Sequence, residues 1–209
     1  MRLILASTSP RRHDLLSLLG ISFEVADPLI EEQVHPNVDP IEQARMFAEH
    51  KAGVCADRFP DRVVIGGDTL IACDEKILGK PATLSQAASM LRMLRGREHQ
   101  IHTAVAVTCR AATWSEAAVE TVRVWLKTMT DDEIDRYLGS GESMGKAGAY
   151  AIQGLGADLV ARIEGDYTAA VGLPLRRVAK LLQAAGIATP ISVDALYRKK
   201  GYPNWDRFA

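Results

Sequence analysis

Three cysteines, Cys55, Cys73 and Cys109, are all that the 209-residue chain carries, and they lie far apart with no CxxC pair. That scarcity argues against a zinc site or a disulfide framework, and it suits small core residues in a reducing compartment, the cytoplasm. No apolar run approaches the length of a membrane span, and no charged n-region precedes an apolar h-region, so no membrane partner is expected. An excess of charge is missing too. Lys and Arg number 25 against 26 Asp and Glu, a formal net charge of -1. No global basic field therefore favours nucleic acid, and any anion site must be local. Neither GxxxxGK[ST] nor GxGxxG occurs, which weakens P-loop and dinucleotide readings. What is present is 47% hydrophobic content, enough for one soluble domain or one two-lobed unit with a sizeable core.

Strand-like and helix-like patterns alternate. The apolar run Leu3 to Ala6 reads as a short buried strand, and the leucine-rich stretch from Leu15 to Leu19 as a helix closed by Gly20. ISFEVA reads as a strand, Asp39 to about Arg58 as a long helix, and RVVIGGD as an apolar strand ending in two glycines and an aspartate. TLIAC, a DEK turn and ILGKP then resemble a hairpin. A helix SQAASMLRML, strands IHTAVAVTC and ETVRVWLK, and a helix DDEIDRYLG lead into a glycine-rich connector. A strand DLVARIEG and an amphipathic helix from about Pro174 to Ala185 close the pattern. This order predicts an α/β fold with a mixed sheet and flanking helices. Residues 190–209 read as a tail appended to a domain spanning 1–189.

One helix start is odd. In STSPRR, Ser9 reads as the N-cap and Pro10 as the first helical residue, which puts Arg11 and Arg12 in the first turn. There the helix dipole opposes a cation by roughly 0.3–1 kcal/mol. DPIE, TLSQ and TDDE, by contrast, are spaced as capping boxes, with Glu42, Gln86 and Glu133 three residues after the cap. The two arginines are either solvated surface charges or ligands of an anion held with the Ser7, Thr8 and Ser9 hydroxyls and backbone N–H groups. A phosphate fits the second reading.

Other candidates are weaker singly. Asp68 and Thr69 follow Gly66 and Gly67 at an expected strand end, where ligands collect in sheets of this class, and the glycines permit a tight bend or a close ligand approach. Taken alone, Asp68 reads as a turn or capping residue rather than a catalytic one. With Glu31 or Glu32 of IEEQ it makes a carboxylate pair suited to Mg²⁺. Lys51 and Lys80 are each ordinary surface cations by themselves. His99 and His102, at odd spacing in a strand, point to opposite faces and argue against a metal site there. In KAGAYAIQG, Lys146, Tyr150 and Gln153 alternate with Gly148 and Gly154, a pattern that suits backbone running close to a flat ligand as well as an ordinary loop. The Gln153 amide offers a donor and an acceptor to a base edge.

ASTSPRR, IEEQ, HKA, GGDT, GKP, EIDRYL, KAGAYAIQG, GDY and VGLP, in this order over nearly all of residues 1–189, resemble the Maf family of nucleoside triphosphate pyrophosphatases. The resemblance implies an α/β fold with a cleft between two lobes, related to inosine triphosphate pyrophosphatases. It implies cleavage of nucleotides between the α and β phosphates with a divalent metal, Mg, Mn or Co. On it, Asp68 matches the proton acceptor, and Arg11, Thr69 and Gln153 match positions linked to substrate choice in the branch acting on dTTP and UTP. Glu32, Lys51, Lys80 and Arg12 match further pocket positions, with Glu32 or Asp68 as metal ligands and Ser7 and Ser9 beside the phosphates. Two departures stand out: Gly145 replaces an acidic residue common in relatives, and the tail after 189 exceeds the usual end, leaving a homodimer open. Competing expectations are a non-catalytic nucleotide sensor acting in septum formation and a broader inosine-type triphosphatase.

Overall fold

A computed structural model describes residues 2–31, 33–35, 37–74 and 76–208. Its first strand, β1 (Leu3–Ala6), is buried along its whole length, as an apolar run without alternation predicts for a strand covered on both faces. β1 pairs in parallel with β2 (Phe23–Val25) on one side and with the first half of β3 (Val63–Cys73) on the other. Antiparallel neighbours follow: β3 with β4 (Lys76–Leu78) and with β5 (Glu98–Cys109), then β6 (Trp114–Leu126) and β7 (Val160–Glu164). The result is a mixed seven-stranded sheet of order β2-β1-β3-β5-β6-β7, with β4 on a branch from β3.

The two-residue period of the strands divides the core. Leu3, Leu5, Ile65, Val105 and Val107 face the larger cluster. It takes Leu15 and Leu16 of α1 (Pro10–Ser17), Leu91 and Leu94 of α3 (Leu84–Leu94), Ile134 of α4 (Asp131–Gly139), and Val178 and Leu182 of α6 (Leu175–Ala184). Ile4, Ala6, Val64, Ala104 and Ala106 face the other way, onto α2 (Pro40–Arg58). The α2 face is made of Ala44, Ala48, Ala52, Cys55 and Ala56, small enough to let the helix lie close to the sheet. A Cβ on Gly66 would fall 2.3 Å from the Ala48 carbonyl oxygen, so this glycine serves helix packing and not the bend or ligand approach expected of it. All three cysteines are buried and free.

The helix starts differ from one another. α4 has the full capping box between Thr130 and Glu133. In α2 Asp39 caps alone, because the Glu42 carboxylate bonds to Arg45. In α3 Gln86 reaches one residue beyond the box, accepting from Ala82 N at 2.7 Å. Of the three expected boxes only the one in α4 closes. Among the described residues no helix is long and apolar enough to cross a membrane. The tail folds as α7 (Val193–Lys199) and α8 (Trp205–Phe208), and packs on α5 (Tyr167–Val171) through Trp205, which is 2% exposed.

Candidate active site

Asp68 does not end its strand. It is the sixth of eleven residues in β3, and β5 pairs with it continuously through Asp68↔Ala104 and Thr69↔Thr103. The strand that stops is β1, whose last pairing is Ala6↔Gly66. Beyond it β3 runs on without that neighbour, and the Ser7–Ser9 turn and the start of α1 take up the space. The expected carboxyl-end site thus belongs to β1, and Asp68 reaches it from an adjacent strand.

The Asp68 side chain is buried, and Lys51 Nζ, from α2, donates to its Oδ1 at 2.7 Å. Oδ2 is buried without a hydrogen-bond partner among the described residues. A buried carboxylate oxygen left unpaired is costly unless something else completes it, so Oδ2 marks a place for a proton, a water or a cation. Lys51, expected among the phosphate ligands, here holds the carboxylate. Glu32 lies outside the described residues, and Glu31 is exposed. Among the described residues no three His, Cys, Asp or Glu side chains converge on one point.

Arg12 lies across the end of β1. Its Nε donates to the Gly172 carbonyl at 3.0 Å, Nη1 to Ser7 Oγ at 3.3 Å and Nη2 to Thr69 Oγ1 at 3.2 Å. Gly67 leaves room for it, since a Cβ there would stand 3.2 Å from Arg12 Nε. Thr69 is tied a second time: its Oγ1 lies 3.1 Å from Thr103 Oγ1, and the Thr103 hydroxyl donates to the Ala169 carbonyl at 2.8 Å. The Ser7 hydroxyl accepts from Ser9 N, and the Ser9 side chain makes no cap bond to α1. Thr69, expected to take part in substrate choice, is an anchor of Arg12 in this arrangement.

Arg11 has no carboxylate partner among the described residues. Burial depresses its guanidinium pKa, and the adjacent Arg12 adds to the effect. Lys146 is depressed by burial and again by Arg11, with Nζ donating to the Glu142 carbonyl at 2.5 Å. Arg11 and Arg12 stand together at the start of α1, and Glu142 acts on Lys146 in the opposite sense to Arg11. Just after Gln153, Leu155 N and Gly156 N donate to the Glu142 carboxylate at 3.1 Å, and burial pushes the Tyr137 phenol up to about 12. Lys80 is exposed, outside the hydrogen-bonded cluster, and its segment meets the connector only where Gly148 N donates to the Gly79 carbonyl.

His99 and His102 have separate partners, Tyr150 and Thr121, as their opposite faces require. An opening of about 1160 Å³ between α6 and the tail contains none of the expected residues. Its Arg176 and Arg177 already meet Asp194 and Glu120. Thr103 and Gly172 were not among the expected residues. Thr103 is a hydroxyl in an apolar strand, which was a usable signal, whereas Gly172 acts through its carbonyl.

A mixed sheet flanked by helices thus sets a buried carboxylate, Asp68, on the strand beside the helix start that carries Arg11 and Arg12. The Maf family, described as Maf-like protein, matches residues 2–185, and the chain belongs to it. The dTTP/UTP pyrophosphatase of Pelotomaculum thermopropionicum is 43% identical over 184 residues, covering 88% of this chain and 96% of that protein. Those of Geobacillus sp. (44% over 185 residues, 88% and 98% covered) and Vibrio cholerae (44% over 182 residues, 87% and 96% covered) are similar to the same extent. Among solved structures, the Staphylococcus aureus Ham1 protein shares the fold at a TM-score of 0.50 and 16% identity, over 88% of this chain and 97% of that one.

Proposed function

We propose that this chain hydrolyses nucleoside triphosphates, dTTP and UTP foremost, between the α and β phosphates, releasing a nucleoside monophosphate and pyrophosphate. The observation that carries the reading is the pairing of opposites at the end of β1. A buried carboxylate with one oxygen unpartnered among the described residues precedes Thr69, whose hydroxyl accepts from Arg12 at the start of α1, with Arg11 beside it. The activity named for relatives at 43–44% identity supports it.

In this reading water attacks the α-phosphorus. Its oxygen forms the new bond to phosphorus, its proton passes to Asp68 Oδ2, and the bridging bond to the β-phosphate breaks with the electron pair leaving on pyrophosphate. Lys51 keeps Asp68 aimed by occupying Oδ1. Arg11 and Arg12, with Lys80 from the side, stabilise the charge that develops on the phosphates. Ser7 and Ser9 line the turn beneath. The orphaned Oδ2 also fits a divalent cation, because Mg²⁺ commonly takes one or two carboxylates and completes its shell with water and substrate phosphate. Asp68, with Glu32, would hold such an ion, which neutralises the departing pyrophosphate. Gln153 faces the base, where an amide can accept from the ring N–H of uracil or thymine and donate to a carbonyl.

Pyrophosphate release from a panel of dTTP, UTP, CTP, GTP and ITP with Mg²⁺, Mn²⁺ or Co²⁺ tests this. Turnover led by the uracil and thymine nucleotides is expected. Tight nucleotide binding with no pyrophosphate released would make the chain a sensor, and a purine lead would make it an inosine-type enzyme.

A further inference from the structure

Thr103 stands in the middle of β5, directly across from Thr69 of β3, and is fully buried. A hydroxyl without access to water must find its partners inside the protein. Its oxygen lies 2.8 Å from the Ala169 carbonyl and 3.1 Å from Thr69 Oγ1. Ala169 belongs to the five-residue α5, and Leu173 N, which an α-helical pattern would direct to it, donates instead to the Thr168 carbonyl at 2.9 Å. The Ala169 carbonyl is thus a buried helix-end acceptor, and Thr103 supplies its donor.

The two ends of this chain of hydrogen bonds fix its direction. A carbonyl only accepts and a guanidinium only donates, while each threonine hydroxyl has a single proton. The Thr103 proton goes to Ala169, so the 3.1 Å contact takes the proton of Thr69. That turns a Thr69 lone pair to Arg12 Nη2, which donates at 3.2 Å. Gly172, the C-cap of α5, accepts from Arg12 Nε at 3.0 Å, and a Cβ on it would stand 3.6 Å from Thr69 Oγ1. Two carbonyls at one end of α5 therefore hold the same guanidinium, one directly and one through Thr103 and Thr69.

We propose that Thr103 is a positioning residue for the phosphate-binding Arg12, acting through Thr69. Its hydroxyl takes up the Thr69 proton, which holds the guanidinium in one orientation and leaves Thr69 to meet substrate as an acceptor, not as a donor. The proposal rests on the reading of this turn as a triphosphate site.

The first test needs no substrate. Arginine labelled with ¹⁵N gives the Arg12 Nε–H signal of the nucleotide-free protein, assigned by its loss in Arg12→Ala. Its exchange with solvent should be about tenfold faster in Thr103→Val and return to the wild-type rate in Thr103→Ser, which restores the hydroxyl. An unchanged rate in folded Thr103→Val overturns the proposal. Should that variant not fold, neutron diffraction from the wild type decides: the Thr69 deuteron is expected on the line to Thr103 Oγ1, and any other direction overturns it. With substrate, Thr103→Val should raise KM for dTTP about tenfold at little change in kcat, Thr103→Ser should stay near the wild type, and Thr103→Val should cost nothing further in Arg12→Ala. Equal losses with and without Arg12 would make Thr103 a purely structural residue and contradict the proposal. A wild type that releases no pyrophosphate would sink the triphosphate reading, and the Arg12 exchange rates would still decide whether Thr103 sets Arg12.

Discussion

Lys51 Nζ stands 2.7 Å from Asp68 Oδ1, and the two side chains are buried together between α2 and β3. The pair leaves Asp68 Oδ2 as the only oxygen of that carboxylate without a protein partner among the described residues. A cation that occupies one oxygen and leaves the other unpartnered among the described residues orients a base.

Asp68→Asn should lower pyrophosphate release by about 10²–10⁴, the usual cost of one general base. Lys51→Met, which leaves the carboxylate buried and unpaired, should cost on the order of 3–5 kcal/mol of stability. In the double variant the two effects should be far from additive, because neither charge is then stranded. Urea melts of the three proteins and the wild type measure the coupling, and near-normal turnover by folded Asp68→Asn would exclude it as the base.

Arg11→Ala should leave the nucleotide-free protein at least as stable as the wild type. It removes a desolvated cation that lies beside Arg12 at a helix start. Its KM for triphosphate should rise sharply, and the melting-temperature gain produced by added pyrophosphate should shrink. Clear destabilisation with catalysis spared would make Arg11 structural.

Gln153→Glu should narrow the gap between UTP and GTP. A carboxylate accepts from the two adjacent donors of guanine but cannot donate to a uracil carbonyl, at about 1–3 kcal/mol per group left unpaired. The added negative charge disfavours a polyanionic substrate, so some loss of overall kcat/KM is expected. Values of kcat/KM for dTTP, UTP, CTP and GTP on both proteins decide it, and equal UTP and GTP rates in the wild type would remove Gln153 as the reader of the base.

Burial pushes the His99 imidazole down to about 4. The unfolded chain, with a value near 6.5, binds more protons between these limits, so stability falls as pH drops from about 6.5 towards about 4 and loses nothing more on this account below that. His102, also depressed by burial, acts in the same sense. His99→Gln should flatten the decline by up to about 3 kcal/mol. Denaturation midpoints across that window check it, and an unchanged slope would show that His99 is not the titrating group.

Local signals were legible where one segment decides its own state. The buried run of β1, the long α2 after its Asp39 cap and the Thr130 capping box each follow from spacing over a few residues. Gly66-Gly67-Asp68 misled because a glycine pair usually ends a strand, whereas here the α2 backbone and the Arg12 side chain each require a missing Cβ and the strand continues. Gln86 and Glu42 had the right spacing for boxes, but Ala82 N and Arg45 compete for their side chains.

The sequence by itself determined the alternating α/β order, the family, and the candidacy of Asp68, Lys51, Arg11, Arg12 and Gln153. These rest on residue types at short spacing, and a hydrophobic period or a cap is a property of a few neighbouring residues. Only the tertiary structure decided that Lys51 belongs to Asp68, that Arg12 is held by Gly172 across 160 positions, and that the tail packs its Trp205 ring on Tyr167. Those are contacts between segments remote in the chain, chosen by which faces the sheet and helices bury together. No local pattern carries that choice, because it depends on the packing of the whole core.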